Sequence, residues 1–571
     1  TTEIYTLSLH DALPICLSPL LAQCLVNRGL NDSEAILRFL DPRLQHLADP
    51  FLLPNMAAAV DRLFRARQQR EPVVIFGDYD VDGVTATALL TEVLRALGWQ
   101  VEYYLPHRLD EGYGLSQGGV ENCLKKHAAK LLLAVDCGST AAATIDWLLQ
   151  QGIEAIVLDH HQVAQPPPRA VALVNPQLGE DGQPSFRELC SAGLAFKLAH
   201  ALVKRGRENG LAEMVKFDVR PYLELVALGT IADLVPLTRE NRIMVNHGLA
   251  RLDRTSRPGL LALKEAARVT GPVGTYEVGF QLAPRLNAAG RLENALDALK
   301  LLLARAPAEA RSLALQLDAQ NRERQDLEQR IAVEAINAVR ARFNPAEDYV
   351  IVEGRMAWHL GVVGIVASRV LREFYRPTII LGGDDREWRG SGRSIEGFDL
   401  AAALRECDEL LVRHGGHAMA AGITLSPDQC EAFRQRLNAI ARRSLKPGQL
   451  QPALRLDAEI TPAELTLERV RELQKLQHTG MGNPAVQLVM RNVWHQRPLQ
   501  CFGPDKRHVR LWVTDGRATH TALWWGAAAE PLPAGRFDLA FSPQLNAYQG
   551  SVTIQLKVLD WQPAGAFASA G

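Results

Sequence analysis

The stretch Val73-Val74-Ile75-Phe76-Gly77-Asp78-Tyr79-Asp80-Val81-Asp82-Gly83 decides how this chain reads. Its first four residues form a short apolar strand pattern, and Gly77 and Gly83 bracket three carboxylates at alternate positions. An extended backbone projects residues i, i+2 and i+4 from one side. The three acids would then crowd together and repel one another unless a cation lay among them. Glycines allow a tight turn at the C-terminal end of a strand, where open α/β sheets place their ligands.

Three further segments repeat the pattern of an apolar run followed by an acid. Residues 155–158 lead into Asp159-His160-His161, 131–135 into Asp136, and 225–232 into Asp233. All four runs read as strands whose ends converge on one crevice. Carboxylates with imidazoles suit Mn²⁺, Mg²⁺, Fe²⁺ or Zn²⁺, and with no cysteine pair nearby a closed thiolate site is excluded. An open, catalytic metal site is the expectation.

The composition narrows the class. The chain has 571 residues, 47% of them hydrophobic, so several domains with sizeable cores are expected. Its 63 Lys+Arg against 64 Asp+Glu give a net charge of −1, so contact with nucleic acid must use local basic patches. The eight cysteines are scattered without a CxxC pair, as in reduced cytosolic proteins. No apolar run approaches the roughly 20 residues needed to span a bilayer, and a cytoplasmic protein without membrane contact is expected. Residues 1–15 read as translated sequencing-adapter sequence, with the native start missing.

From 72 to about 254, strands at 73–76, 101–105, 131–135, 155–158 and 172–174 alternate with helical stretches, which predicts a parallel sheet covered on both faces. The triple proline at 166–168 places a loop beyond the histidine pair. A Pro-free, charged run at about 308–343 reads as one long helix. After it, glycine-rich stretches carry Ser391, Arg393 and His417, residue types that grip phosphate. Short alternating strands at 509–513, 522–525, 537–541 and 552–559 predict a small β-barrel. Its aromatics Trp494, Phe502, Trp512, Trp524, Trp525 and Tyr548 divide between core and base stacking in a proportion the sequence leaves open.

The motifs GDYDVDG, VDCGST, LDHH and GTIADLVPL resemble the four motifs of the DHH phosphoesterase superfamily. Pro106-His107-Arg108, APRLNAAGR at 283–291, Trp358-His359, Gly390 to Ser394 and GGHAMAAG at 415–422 are similar to one branch of it, the RecJ family of single-stranded-DNA-specific exonucleases. Cys137 and Leu360 stand where many relatives carry Asn and Gln, and neither change removes a ligand. The resemblance runs from about residue 20 to 561. It implies an α/β fold in which a DHH parallel-sheet lobe (72–300) is joined by a connector helix (301–344) to a smaller DHH-associated lobe (345–448). An N-terminal helical segment (16–71) precedes them and an OB-fold barrel (449–571) follows.

The resemblance also implies site residues. Two divalent cations, Mn²⁺ or Mg²⁺, would be held by Asp78, Asp80, Asp82, Asp136, His160 and Asp233. Asp136 would bridge them; His160, Asp233 and Asp82 would hold one and Asp80 the other. His161 would orient phosphate or water, and Asp159 would hold a histidine in its ligating tautomer. Arg108, Arg285, Asn287, Arg291, His359, Ser391, Arg393 and His417 would bind substrate, several of them around a 5′-terminal phosphate. The implied activity is 5′→3′ hydrolysis of single-stranded DNA to 5′-mononucleotides in repair and recombination, by a monomer acting alongside a helicase and a single-strand-binding protein. Two alternatives stay open: a small-substrate phosphodiesterase acting on oligoribonucleotides or cyclic dinucleotides, and a DNA-binding scaffold without catalysis.

Overall fold

The structure is a computed structural model that describes residues 17–107, 110–112, 114–179 and 186–565. The expectations about residues 1–15 and Arg108 fall outside these. Five parallel strands, β1 (Val73–Gly77), β2 (Val101–Tyr104), β3 (Leu131–Val135), β4 (Glu154–Leu158) and β5 (Ala172–Val174), form the first sheet in the order β2-β1-β3-β4-β5. β1, β3 and nearly all of β4 are buried, because apolar clusters cover both faces of the sheet. The order reverses at β1, since the chain leaves it for β2 on one side and returns to β3 on the other. A crevice therefore opens at the carboxyl ends of β1 and β3.

The run before Asp233 is a helix rather than the predicted strand. Nine of the ten residues of Leu223–Ala232 are buried, Glu224 and Thr230 among them, so it has no period that distinguishes it from a buried strand. Asp233 follows as its C-cap, and only three strand ends feed the site.

The long helix is present as Pro307–Arg340. It leads to a second sheet of β6 (Ile351–Met356), β7 (Thr378–Gly383), β8 (Trp388–Arg393), β9 (Arg413–His417) and β10 (Ala420–Leu425), in the order β6-β7-β8-β10-β9. The last sheet runs from β11 (Ala458–Glu459) to β17 (Ser551–Pro563). Within it β12 (Leu488–His495) pairs with both β16 (Phe537–Tyr548) and β14 (His508–Thr514), and this double pairing closes the barrel. Of the barrel aromatics, Trp525 and Tyr548 are exposed and Phe502, Trp494, Trp512 and Trp524 half-buried.

The N-terminal segment serves two cores. Leu21, Leu25, Ile36 and Phe39, from the helices Pro19–Val26 and Ser33–Leu40, belong to the barrel core. The next helix, Met56–Gln69, packs into the core of the first sheet. Arg242, on the helix Arg239–Asp253, ties these parts together. It donates to Phe39 O at 2.7 Å, Lys475 O at 3.0 Å, Leu476 O at 3.3 Å and Gln477 O at 2.7 Å, and its guanidinium lies 3.8 Å from the centre of the Phe39 ring. Burial lowers its pKa to about 10, so it keeps its charge at neutral pH. Arg242→Met would leave several buried carbonyls without donors and is expected to cost about 3 kcal/mol, read as a lower denaturant midpoint. An unchanged midpoint would contradict this role.

Candidate metal centre

Asp80 is the N-cap of the helix α1 (Val81–Ala96), and its carboxylate accepts from the backbone N–H groups of Asp82 at 3.0 Å and Gly83 at 3.1 Å. The extended, alternating arrangement expected for the three acids is therefore replaced by a turn into a helix. Asp78 follows the strand, Asp80 caps the helix and Asp82 lies in its first turn. Gly83 is required here because a Cβ would lie 2.6 Å from Asp78 O. The turn still brings the acids together, by a different local route.

Asp136 follows β3 in the left-handed region, φ +64°, a strained conformation of the kind found at functional sites. His160 follows β4, and its Nε2 lies 3.5 Å from Asp136 Oδ1, 3.6 Å from Asp233 Oδ2 and 3.9 Å from Asp82 Oδ2. Three donor sets lie within 4.8 Å: Asp78, Asp80 and Asp136; Asp82, His160 and Asp233; and Asp136, His160 and His161. Asp136 is common to two of them.

The electrostatics fit a divalent cation. Burial raises the Asp136 carboxyl well above its ordinary range, and repulsion from Asp82, Asp80, Asp78 and Asp233 adds to this. Burial likewise raises Asp82. Burial with Asp82 and Asp80 nearby pushes Asp233 to about 9, and among the described residues its buried Oδ2 accepts no hydrogen bond. A crowded, desolvated set of oxygens whose charge is disfavoured is what hard cations compensate.

Asp159 turns away from the acids. It accepts from the N–H groups of Ser139, His160 and His161, and its Oδ1 lies 2.7 Å from His161 Nδ1. Burial opposes its ionisation, but His161 and Ser139 hold its carboxyl below the ordinary range. Burial lowers His161, yet Asp159 outweighs this and raises it to about 9. His160, the more buried of the two, is lowered by desolvation and stays a neutral donor.

The other predicted residues divide between two walls. On the helix α2 (Ala283–Leu292), Arg285 pairs with Asp318 of the long helix at 2.8 Å, and the Asn287 side-chain oxygen accepts from Val81 N–H at 3.1 Å. Arg291 donates to Gly361 O of the second lobe at 3.1 Å. His359 Nδ1 accepts from Gly361 N–H at 3.1 Å. Arg393 donates to Ser391 Oγ at 2.7 Å. Desolvation lowers His417, and the charges of Arg393 and His161 lower it further.

Sequence reasoning missed Ser139, Asn175, Ser191 and Asp318. Asn175 donates to Ser139 Oγ and His161 O, both at 2.8 Å, and so braces the loop that carries the histidines. A lone Ser or Asn beside an apolar run carries no signal of its tertiary partner; Ser191 opening a buried helix was the only cue.

Family models match the DHH family, N-terminal domain over residues 72–230, the DHHA1 domain over 347–443 and the RecJ OB domain over 456–560. The single-stranded-DNA-specific exonuclease RecJ of Dickeya dadantii is 36% identical over 96% of both chains. That of Bacillus subtilis is 36% identical over 97% of this chain and 69% of its own. The chain belongs to the RecJ family. The crystal structure of Thermus thermophilus RecJ in complex with Mn²⁺ covers 99% of this chain, and this chain covers 81% of that one, with a TM-score of 0.84 and 31% identity. RecJ from that organism has also been crystallised with Mg²⁺. The expectations of an α/β fold with an OB barrel and of divalent metal ions agree with these findings. Among the described residues no helix is long and apolar enough to cross a membrane.

The raised carboxyls make metal uptake proton-linked. Asp233 ionises at about 9 in the folded protein against an ordinary 3.8, so the metal-free fold holds the extra proton and loses stability as pH rises between those values. Mn²⁺ binding at pH 7 is expected to release at least about one proton, measurable by calorimetry in two buffers of different ionisation enthalpy. Release of none would mean that the acids are already ionised.

Proposed function

We propose that this chain is a metal-dependent exonuclease that hydrolyses single-stranded DNA from its 5′ end to 5′-mononucleotides in repair and recombination. The observation that carries the proposal is the clustering of five buried or half-buried acids and two histidines at the strand reversal. Two divalent cations held there would supply an activated water and neutralise charge on the in-line phosphoryl transition state.

Asp136 and His160 are each shared by two donor sets, and Asp136 is assigned the bridging position because its carboxylate offers two oxygens. His160, Asp233 and Asp82 are assigned to one cation and Asp80 to the other, with Asp78 beside it. His161, kept protonated by Asp159, donates to a phosphate oxygen. Ser391, Arg393, His417 and His359, with Arg108, are assigned to the terminal phosphate. That phosphate anchors the 5′ end one nucleotide from the acids, which gives direction to the cleavage. The division of the chain into lobes at 72–300, 345–448 and 449–571, joined by 301–344, belongs to the same proposal. So do a monomeric state, a cytoplasmic location and action alongside a helicase and a single-strand-binding protein.

A groove of about 970 Å³ is bordered by Asn287 and Arg291 and by the residues on either side of Asp233 in the chain. Ile231 and Ala232, just before Asp233, line it, as do Leu234, Tyr276, Phe280 and Met481. Tyr276 and Phe280 are 60% and 72% exposed, and their rings stack with centroids 5.1 Å apart. Phe280 lies within a π-helical turn, Glu277–Leu282, a distortion frequent at functional sites. Gln325 and Gln329 of the long helix, with Arg369 and Arg372 of the second lobe, supply polar and cationic groups. Bases on the rings and phosphates on the arginines suit a single strand and exclude a duplex.

Long single-stranded DNA labelled at the 5′ end in one sample and the 3′ end in another tests the proposal. With Mn²⁺, the 5′ label is expected to appear at once as mononucleotide while the 3′-labelled strand shortens progressively. EDTA is expected to stop the reaction, and Asp136→Ala to slow it roughly a thousandfold. Cleavage of short oligonucleotides or cyclic dinucleotides alone would favour a small-substrate phosphodiesterase, and binding without cleavage a scaffold. Replacing Tyr276 and Phe280 together by Ala is expected to raise the KM for a long strand about tenfold and to leave the cleavage of dinucleotides unchanged.

A further inference from the structure

We propose that Ser191 is a positioning residue that sets two buried carboxylates, Asp82 and Asp136, for metal binding; this rests on the reading of the acidic cluster as a metal centre. Ser191 is the first residue of the helix Ser191–Glu208 and is fully buried. Its backbone N–H donates to Asp82 Oδ2 at 2.6 Å, and its hydroxyl donates to Asp136 Oδ1 at 2.8 Å. The next N–H, of Ala192, donates to Asp82 Oδ1 at 2.8 Å.

Asp82 comes from the first turn of α1 and Asp136 from the end of β3, and one residue therefore fixes their separation. Both Asp82 oxygens are gripped by the N-terminus of an 18-residue helix, whose partial positive charge favours the ionised carboxylate. Asp136 has no such helix; its side chain leaves a left-handed backbone, and the Ser191 hydroxyl is what holds its Oδ1 in orientation. An acceptor-only group held by one donor keeps its remaining lone pairs for a cation. Groups that orient metal ligands in this way typically contribute about 10- to 100-fold in affinity.

Mn²⁺ binding to the full chain, followed by the electron paramagnetic resonance signal of the free aqueous ion, reads this directly. Ser191→Ala is expected to weaken Mn²⁺ binding about tenfold or more, with KM for single-stranded DNA unchanged and kcat recovered at raised Mn²⁺. Ser191→Cys, which keeps the size and a weaker donor, is expected to fall between, and it also serves if the alanine variant does not fold. A folded variant with wild-type Mn²⁺ affinity and only a lower melting temperature would overturn the proposal, because Ser191 would then be a packing residue. Failure of the wild-type chain to bind Mn²⁺ would overturn the metal reading itself.

Discussion

The constraint on which the structure depends is the concentration of negative charge at the bottom of a dry crevice. Asp82 and Asp136 are buried, and Asp78, Asp80 and Asp233 stand beside them. Such a group is tolerated only where hydrogen-bond donors, helix N-termini and a cation share the charge. Much of the surrounding architecture follows from that need. The first strand reversal supplies the crevice, the helix Ser191–Glu208 supplies N–H groups, and His160 supplies a neutral imidazole between three acids. Binding of metal completes the site and stabilises the fold at once, since both depend on the same repulsion.

A second layer holds this first one in place. α2 presses on the metal loop so closely that a Cβ on Gly290 would lie 2.5 Å from Tyr79 O. From the same helix Asn287 reaches Val81, Arg285 reaches Asp318 and Arg291 reaches Gly361. One ten-residue helix thus touches the metal loop, the long connecting helix and the opposite wall of the groove. That helix is therefore the element through which the metal loop and both walls of the groove are in contact.

The strands that carry Asp78, Asp136 and Asp159 were legible because apolar runs of about five residues, bounded by glycine and acid, have few other uses. The run before Asp233 was not, since a helix buried on every side has no amphipathic period to read. The histidine pair and the acids were legible by residue type and proximity in sequence. Ser191 and Asp318 were hidden because a serine or an aspartate announces neither its depth nor its partner; both depend on elements more than thirty residues away. The motif residues Arg285, Asn287 and Arg291 were legible as important, while the partners that engage them were visible only in the folded chain.

The sharing of the barrel core with the N-terminal helices has a consequence for synthesis. Ser18 donates its N–H to Glu472, 454 residues later in the chain, and Leu21 and Leu25 share a core with the strands that start at Leu488. At about 5–20 residues per second a ribosome needs roughly 20 to 90 s to deliver that partner. Helices among the first to emerge are thus among the last to be covered. Through that interval their apolar faces lack the barrel residues that cover them in the folded chain.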